Sequence, residues 1–147
     1  MFRFLLAIIL FYLIGTINPA YLLAKLKGFD IRKKGTKNAG TLNALQTLGK
    51  IPALFVFLID MGKGALCFWL AKEIFLLSEL NIYISSLFVI IGHRYPFYLN
   101  FAGGKGVAAG MGLWFAAFFF RSALQYWAHF DILLLAIYLF TKFVLRR

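Results

Sequence analysis

The sequence predicts an all-α integral membrane protein with about five transmembrane helices and two Gly/Asn/Lys-rich loops on the cytoplasmic face. Three observations lead there. The first is composition: 147 residues, 63% hydrophobic and 14% charged, with a mean hydropathy of +0.84. A soluble domain is about half apolar and roughly a quarter charged, so lipid must be the solvent for much of this chain. The second is that the apolar residues fall into runs near membrane-spanning length. Five spans of about 20 residues use roughly 100 positions, which leaves one membrane-embedded domain over residues 1–147. The third is that basic residues concentrate in alternate connecting segments.

The first run, 4–26, is too long for a signal-peptide core and carries no A-x-A-like cleavage site, so it is read as a retained span. Asn18-Pro19 interrupts it near one end, and a broken helix must face protein or a polar cavity. The second run, 51–71, contains Asp60 and Lys63, three apart and therefore on one helix face. Each charge costs about 2.5–3.5 kcal/mol at the bilayer centre on insertion scales, so pairing or a polar interior is implied. The third run covers about 80–99. The fourth, 107–120, reaches only about 21 Å at 1.5 Å per residue, short for a span unless the preceding glycines extend it. The fifth runs from about 126 to 144, with Asp131 near its start. Cys67, the sole cysteine, excludes an internal disulfide framework and reads as a buried structural thiol.

The chain carries 16 Lys+Arg against 5 Asp+Glu, a net charge of +11. Interleaved with long apolar runs, this excess points to anionic headgroups, anionic substrates and topology rather than nucleic acid. Segment 27–50 holds Lys27, Arg32, Lys33, Lys34, Lys37 and Lys50; segment 92–106 holds Arg94 and Lys105; the tail holds Lys142, Arg146 and Arg147. The opposite side has Arg3, Lys72 and Arg121. The positive-inside rule therefore places the N-terminus outside and both polar loops and the C-terminus inside.

The first loop contains Gly35, Gly40 and Gly49 with Asn38 and Asn43 between them; the second centres on Gly103-Gly104-Lys105-Gly106. Glycine lets backbone N–H groups approach an anion, and a helix starting directly afterwards adds its positive end. Lys105 supplies a full charge. The second loop thus reads as a phosphate cradle. It is not a Walker motif, because Leu99 stands six residues before Lys105 and no Ser or Thr follows the lysine. The plainer alternative is a tight turn or packing seam, with Gly106 and Gly110 as a small-xxx-small pair. The run Arg32-Lys33-Lys34 reads as a headgroup-facing topology signal. His93 is either an interfacial anchor or a base or hydrogen-bond donor near the cradle, and His129 reads as an interfacial residue. No carboxylate pair, metal-ligand cluster or Ser-His-Asp constellation occurs, so neither a metal, a cofactor nor a covalent enzyme intermediate is expected.

Three stretches resemble the bacterial acyl-phosphate:glycerol-3-phosphate acyltransferases of the PlsY type. GTINPAYLLAKLKGFDIRKKG (15–35) is similar to the family's opening G-S-I-x-x-x-Y-x-x-A-K followed by D-x-R. GTKNAGTLNALQTLGK (35–50) is similar to G-S-G-N-x-G-A-T-N-x-x-R-x-L-G-K. GHRYPFYLNFAGGKGVAAGMG (92–112) is similar to G-H-x-F/Y-P-x-x-x-x-F-x-G-G-K-G-V-A-T. Asp60 with Lys63-Gly64 resembles the family's D-x-x-K-G.

The resemblance implies transfer of an acyl group from acyl phosphate to the 1-hydroxyl of glycerol 3-phosphate, giving lysophosphatidate and phosphate, in a multi-pass protein of the bacterial inner membrane. It implies catalytic roles for His93 and Lys105, and substrate contacts from Thr36, Lys37, Asn38, Gly40, Asn43, Gly103, Gly104 and Gly106. The hydroxyl proton would go to His93 or to the substrate's own phosphate. Thr36 keeps the hydroxyl of the family's Ser, whereas Gln46 stands where the family has Arg, with Lys37 replacing a Gly nearby. Relatives continue through two more helices to an R-H-x-x-N-I motif, and Leu145 stands where they have Ser. A shortened, divergent member is therefore expected, with a second chain as one way to complete the site. The rival readings are a degenerate relative that binds anionic lipid or a partner without turnover, and a small transporter subunit built on Asp60/Lys63.

Overall fold

The computed structural model describes residues 1–120. The expected fifth span, His129, Asp131, Leu145 and the basic tail lie outside the described residues. Those described are helical, with no strand among them.

The first run forms two helices, α1 (Phe2–Thr16) and α2 (Pro19–Leu26). Pro19 has no N–H to continue the ladder and suits the first turn of a new helix. Asn18 caps that turn, its side chain accepting from the Tyr21 N–H at 2.9 Å. After a 3₁₀ turn at Ile31–Lys33 comes α3 (Thr41–Thr47), a short helix inside the segment read from sequence as loop. Helix α4 (Lys50–Trp69) continues through a π-helical turn at Leu70–Ile74. Helix α5 (Glu79–Arg94) ends earlier than the third apolar run, because Pro96 disfavours a helical Tyr95 and removes a donor. Helix α6 (Val107–Phe120) coincides with the fourth run. The glycines before it do not extend it, since Gly106 has φ +77°.

Among the described residues, two segments are long and apolar enough to cross a membrane, Phe2–Leu26 and Lys50–Ile74, each of 25 residues. Within the bundle α1 packs against α5 and α4 against α6. Both pairings run through reciprocal glycines. A Cβ on Gly15 would strike the Val89 carbonyl, and one on Gly92 the Tyr12 carbonyl. A Cβ on Gly64 would strike the Ala109 carbonyl, and one on Gly112 the Met61 carbonyl. Helices in lipid gain little from apolar burial alone, so close backbone approach at small residues supplies the packing. The seam of α6 against α4 falls on Gly112, while Gly106 and Gly110 lie against Ile90 of α5. Phe11, Cys67, Phe68, Val89 and Ile90 fill the space between helices, which bears out Cys67 as a buried thiol. Leu5, Ile9, Leu13, Leu58, Phe115 and Phe118 point outward, as an apolar solvent allows.

The two polar loops meet at one end of the bundle. Arg32 forms a bidentate pair with Asp30, Nη2 to Oδ2 at 2.8 Å. Its other nitrogen, Nη1, donates to the Leu99 carbonyl at 2.7 Å. Arg32 is therefore a tie between the loops, unlike the headgroup-facing residue expected from its basic run. The guanidinium also holds the Asp30 carboxyl below the ordinary carboxylate range.

Candidate phosphate site at the loop junction

The break in the first span organises this end of the molecule. In an unbroken helix the Gly15 carbonyl would bond the N–H four residues on, but that residue is Pro19. The Ile17 carbonyl would bond Tyr21, whose N–H is already taken by Asn18. Buried carbonyls left in this way require other donors. Lys63 Nζ, reaching in from α4, donates to Gly15 O at 3.1 Å and Ile17 O at 2.9 Å. The carbonyl of Thr16, between them, accepts from Tyr98 Oη at 2.7 Å. Asn18 Nδ2 then reaches the first polar loop, donating to Ala39 O at 3.0 Å.

Lys63 is buried with its counter-charge, Asp60 Oδ1, at 2.8 Å. His93 closes the cluster. Its Nδ1 lies 2.7 Å from Lys63 Nζ and 3.3 Å from Asp60 Oδ1, and the residue is 2% exposed. The interfacial-anchor alternative for His93 is therefore set aside, since the ring sits inside the protein. The Asp60–Lys63 pair of the sequence is confirmed, with a third member.

The opposite edge of the imidazole faces the glycine loop. A Cβ on Gly104 would overlap both His93 Nε2 and the Ala39 carbonyl. First loop, second loop and His93 thus converge at one point, where only glycine fits. Gly103 is equally confined, its missing Cβ replaced by the His93 carbonyl and Pro96. The amides of these two glycines are not turned to an open cradle, as the sequence suggested. Gly103 N donates to Arg94 O at 3.0 Å and Gly104 N to His93 O at 3.1 Å, closing the carbonyl end of α5. The N–H groups left for an anion are those of the first turn of α6, which no helix satisfies internally. Lys105, at that turn, is exposed and makes no hydrogen bond or ion pair among the described residues.

The first loop is built around Asn43. Its Oδ1 accepts from Thr36 N at 3.0 Å, and its Nδ2 reaches Ile31 O, Lys34 O and Asn38 O at 2.8, 3.1 and 2.9 Å. These partners use every polar atom of the side chain. On this geometry Asn43 holds the loop. Gly35 has φ +55°, and a Cβ there would displace Asn43 Oδ1. Gly40 is buried at the start of α3, and Asn38 is half-buried beside it. Thr36 and Lys37 are exposed at the tip, Lys37 at φ 58°. Gln46 is exposed on α3.

The structure therefore gathers His93, Gly103 and Gly104 directly, and joins them through Ala39 to the Asn38–Gly40 stretch. Asn18, Arg32 and Tyr98 were not singled out as site builders in the sequence. For Asn18 the signal was present, since Asn-Pro within an apolar run announces unpaired carbonyls that some donor must meet. No group of three or more His, Cys, Asp or Glu residues fit for a metal occurs among the described residues.

A broken-helix bundle with a buried Asp–Lys–His cluster under a glycine loop is an apolar helical protein whose polar chemistry gathers at one end. Comparison with known proteins assigns the class. The glycerol-3-phosphate acyltransferase family model matches residues 5–146, and the chain belongs to that family. The glycerol-3-phosphate acyltransferase of Synechococcus sp. (strain CC9902) is 44% identical over 110 residues, covering 74% of this chain and 54% of the relative. Glycerol-3-phosphate acyltransferase 2 of Moorella thermoacetica is 36% identical over 141 residues, covering 95% and 69%. Crystal structures of PlsY (YgiH), an integral membrane glycerol 3-phosphate acyltransferase, superimpose as well. The glycerol 3-phosphate form gives a TM-score of 0.72 at 37% identity, covering 77% of this chain and 56% of that one; the lysophosphatidic acid form gives 0.69 at 36%. The chain spans about half the length of most of the relatives it matches.

Proposed function

We propose that the protein is a glycerol-3-phosphate acyltransferase that moves an acyl group from acyl phosphate to the 1-hydroxyl of glycerol 3-phosphate, in a bacterial inner membrane that it crosses several times with both polar loops in the cytoplasm. The observation that carries this reading is the junction of Ala39, Gly104 and His93, which brings two loops suited to phosphate into one place.

The chemistry asks little of the protein beyond positioning. Acyl phosphate is a mixed anhydride and already activated. The main obstacle is to hold two phosphate-bearing molecules together. Two dianions about 6 Å apart at an effective dielectric of about 20 repel by roughly 11 kcal/mol. Lys105, Lys37 and the N-terminal amides of α6 oppose that repulsion. Thr36 and Asn38 offer polar groups, Gly40 and Gly106 allow close approach, and Asn43 keeps the loop in shape. The acyl chain stays in lipid beside the apolar outer faces of the helices. Proximity then supplies much of the rate. Groups equivalent to the unmatched part of the relatives complete the pocket, from the same polypeptide or from a second chain.

The test is direct. Membranes containing the protein should convert labelled glycerol 3-phosphate to lysophosphatidate when acyl phosphate is added, and not when it is withheld. Conversion no greater than in empty membranes rejects the proposal. Binding of glycerol 3-phosphate without conversion favours the non-catalytic alternative.

A further inference from the structure

The buried cluster does more than pack. A lysine ammonium has three protons, and three acceptors stand around Lys63 Nζ in hydrogen-bonding geometry: Gly15 O, Ile17 O and His93 Nδ1. Asp60 Oδ1 is close to both nitrogens, yet it receives no well-directed hydrogen bond. At 2.8 Å from Nζ it balances the charge of the ammonium. A proton on His93 Nδ1 would point at an ammonium 2.7 Å away. Nδ1 is thereby the acceptor, and the neutral ring carries its proton on Nε2. That is the edge packed beside Gly104, at the loop that leads into Lys105 and α6.

We infer that Lys63 is a positioning residue that fixes His93 in the Nε2–H tautomer and so presents a hydrogen-bond donor, not a base, to an oxygen bound at the Gly103–Gly106 loop. The oxygen belongs to a phosphoryl group or to the acyl carbonyl as it gains negative charge, and in that respect the inference rests on the acyltransferase reading. A base at this position needs an unprotonated Nε2, which this tautomer does not offer. Lys63 also pins the carbonyls at the helix break, so the donor's direction and the shape of the first span depend on the same ammonium.

Nuclear magnetic resonance of the whole chain, labelled with ¹⁵N-histidine in lipid nanodiscs at neutral pH, tests this without turnover. The spectrum of His93→Gln separates the signals of His93 from those of His129. The inference expects His93 Nδ1 unprotonated and Nε2 protonated; a proton on Nδ1, or on both nitrogens, overturns it. The double variant Asp60→Asn with Lys63→Met leaves no unpaired buried charge. It should admit the Nδ1–H tautomer, and reduce kcat by about 10- to 100-fold, the range lost when partners that fix a histidine tautomer are removed elsewhere, with KM for glycerol 3-phosphate little changed. An unaltered tautomer in a folded double variant removes Lys63 from the role. If that variant does not fold, the wild-type spectrum decides. The expected tautomer in a chain that never converts substrate would refute the acyltransferase reading and leave the tautomer assignment standing.

Discussion

Replacing Asn43 with alanine separates a residue that builds the loop from one that touches substrate. The side chain supplies one acceptor and two protons to the loop backbone, which amounts to about three bonds of about 1 kcal/mol net each. Thr36 and Lys34 are exposed, so water replaces part of what they lose, whereas Ile31 is fully buried. The expected loss is about 2 kcal/mol in the local stability of residues 30–40, a roughly 30-fold rise in the open population. Hydrogen exchange by mass spectrometry in nanodiscs should show those amides exchanging about 30-fold faster, while α4 and α5 keep their protection. Asn43→Asp keeps the acceptor for Thr36 but turns a buried carboxylate towards the carbonyls of Ile31, Lys34 and Asn38, so it should loosen the loop at least as much as alanine. Unchanged exchange in Asn43→Ala, together with lost affinity for glycerol 3-phosphate, would refute this reasoning and make Asn43 a ligand contact.

Four further outcomes follow from the same geometry. Gly112→Ala and Gly64→Ala each push a methyl into a facing backbone carbonyl and should cost at least the 1–3 kcal/mol or so of an overpacked core, read as a lower thermal midpoint in detergent. Gly62→Ala, with open space at that position, should instead stabilise the helix by about 0.5–1 kcal/mol and raise the midpoint. Lys105→Ala should lower acyl transfer by about 100-fold, as for loss of one preorganised charge contact, with no change in thermal midpoint, because Lys105 has no partner among the described residues. The Asp30–Arg32 tie should fail in acid: the folded Asp30 pKa lies below its ordinary 3.8, so its stabilisation is complete above that value and disappears as pH falls through the lowered one. Exchange at residues 29–33, followed from neutral pH downward, should accelerate only in that acidic window, and Arg32→Leu should weaken the dependence, leaving the part due to the backbone N–H of residue 32.

The apolar helices were legible because their signal is local. Apolar runs set α1 with α2, α4 and α6 almost to the residue, and Asn18-Pro19 marked the break. Helix α3 was hidden, since seven residues between glycines carry too few turns to show a period. Asp60 and Lys63 were legible as a pair through their spacing, but His93, 30 residues on, joins them only through the packing of α5 beside α4. The glycines of the second loop were recognised, although their function was read too simply. Sequence cannot tell a glycine that offers its amide from one that makes room for a histidine ring. Arg32 was misread for a similar reason, because a basic run looks alike whether it faces headgroups or reaches across to another loop.

Whether the two polar loops share one side of the membrane can be measured directly. Lys33→Cys and Phe101→Cys place thiols at exposed positions on the first and second loops, while buried Cys67 stays silent. In sealed, uniformly oriented vesicles a membrane-impermeant maleimide should label both positions from the same side, the cytoplasmic one. Labelling of the two from opposite sides would contradict the account, since the Arg32 tie and the Ala39–Gly104 junction require both loops at one rim.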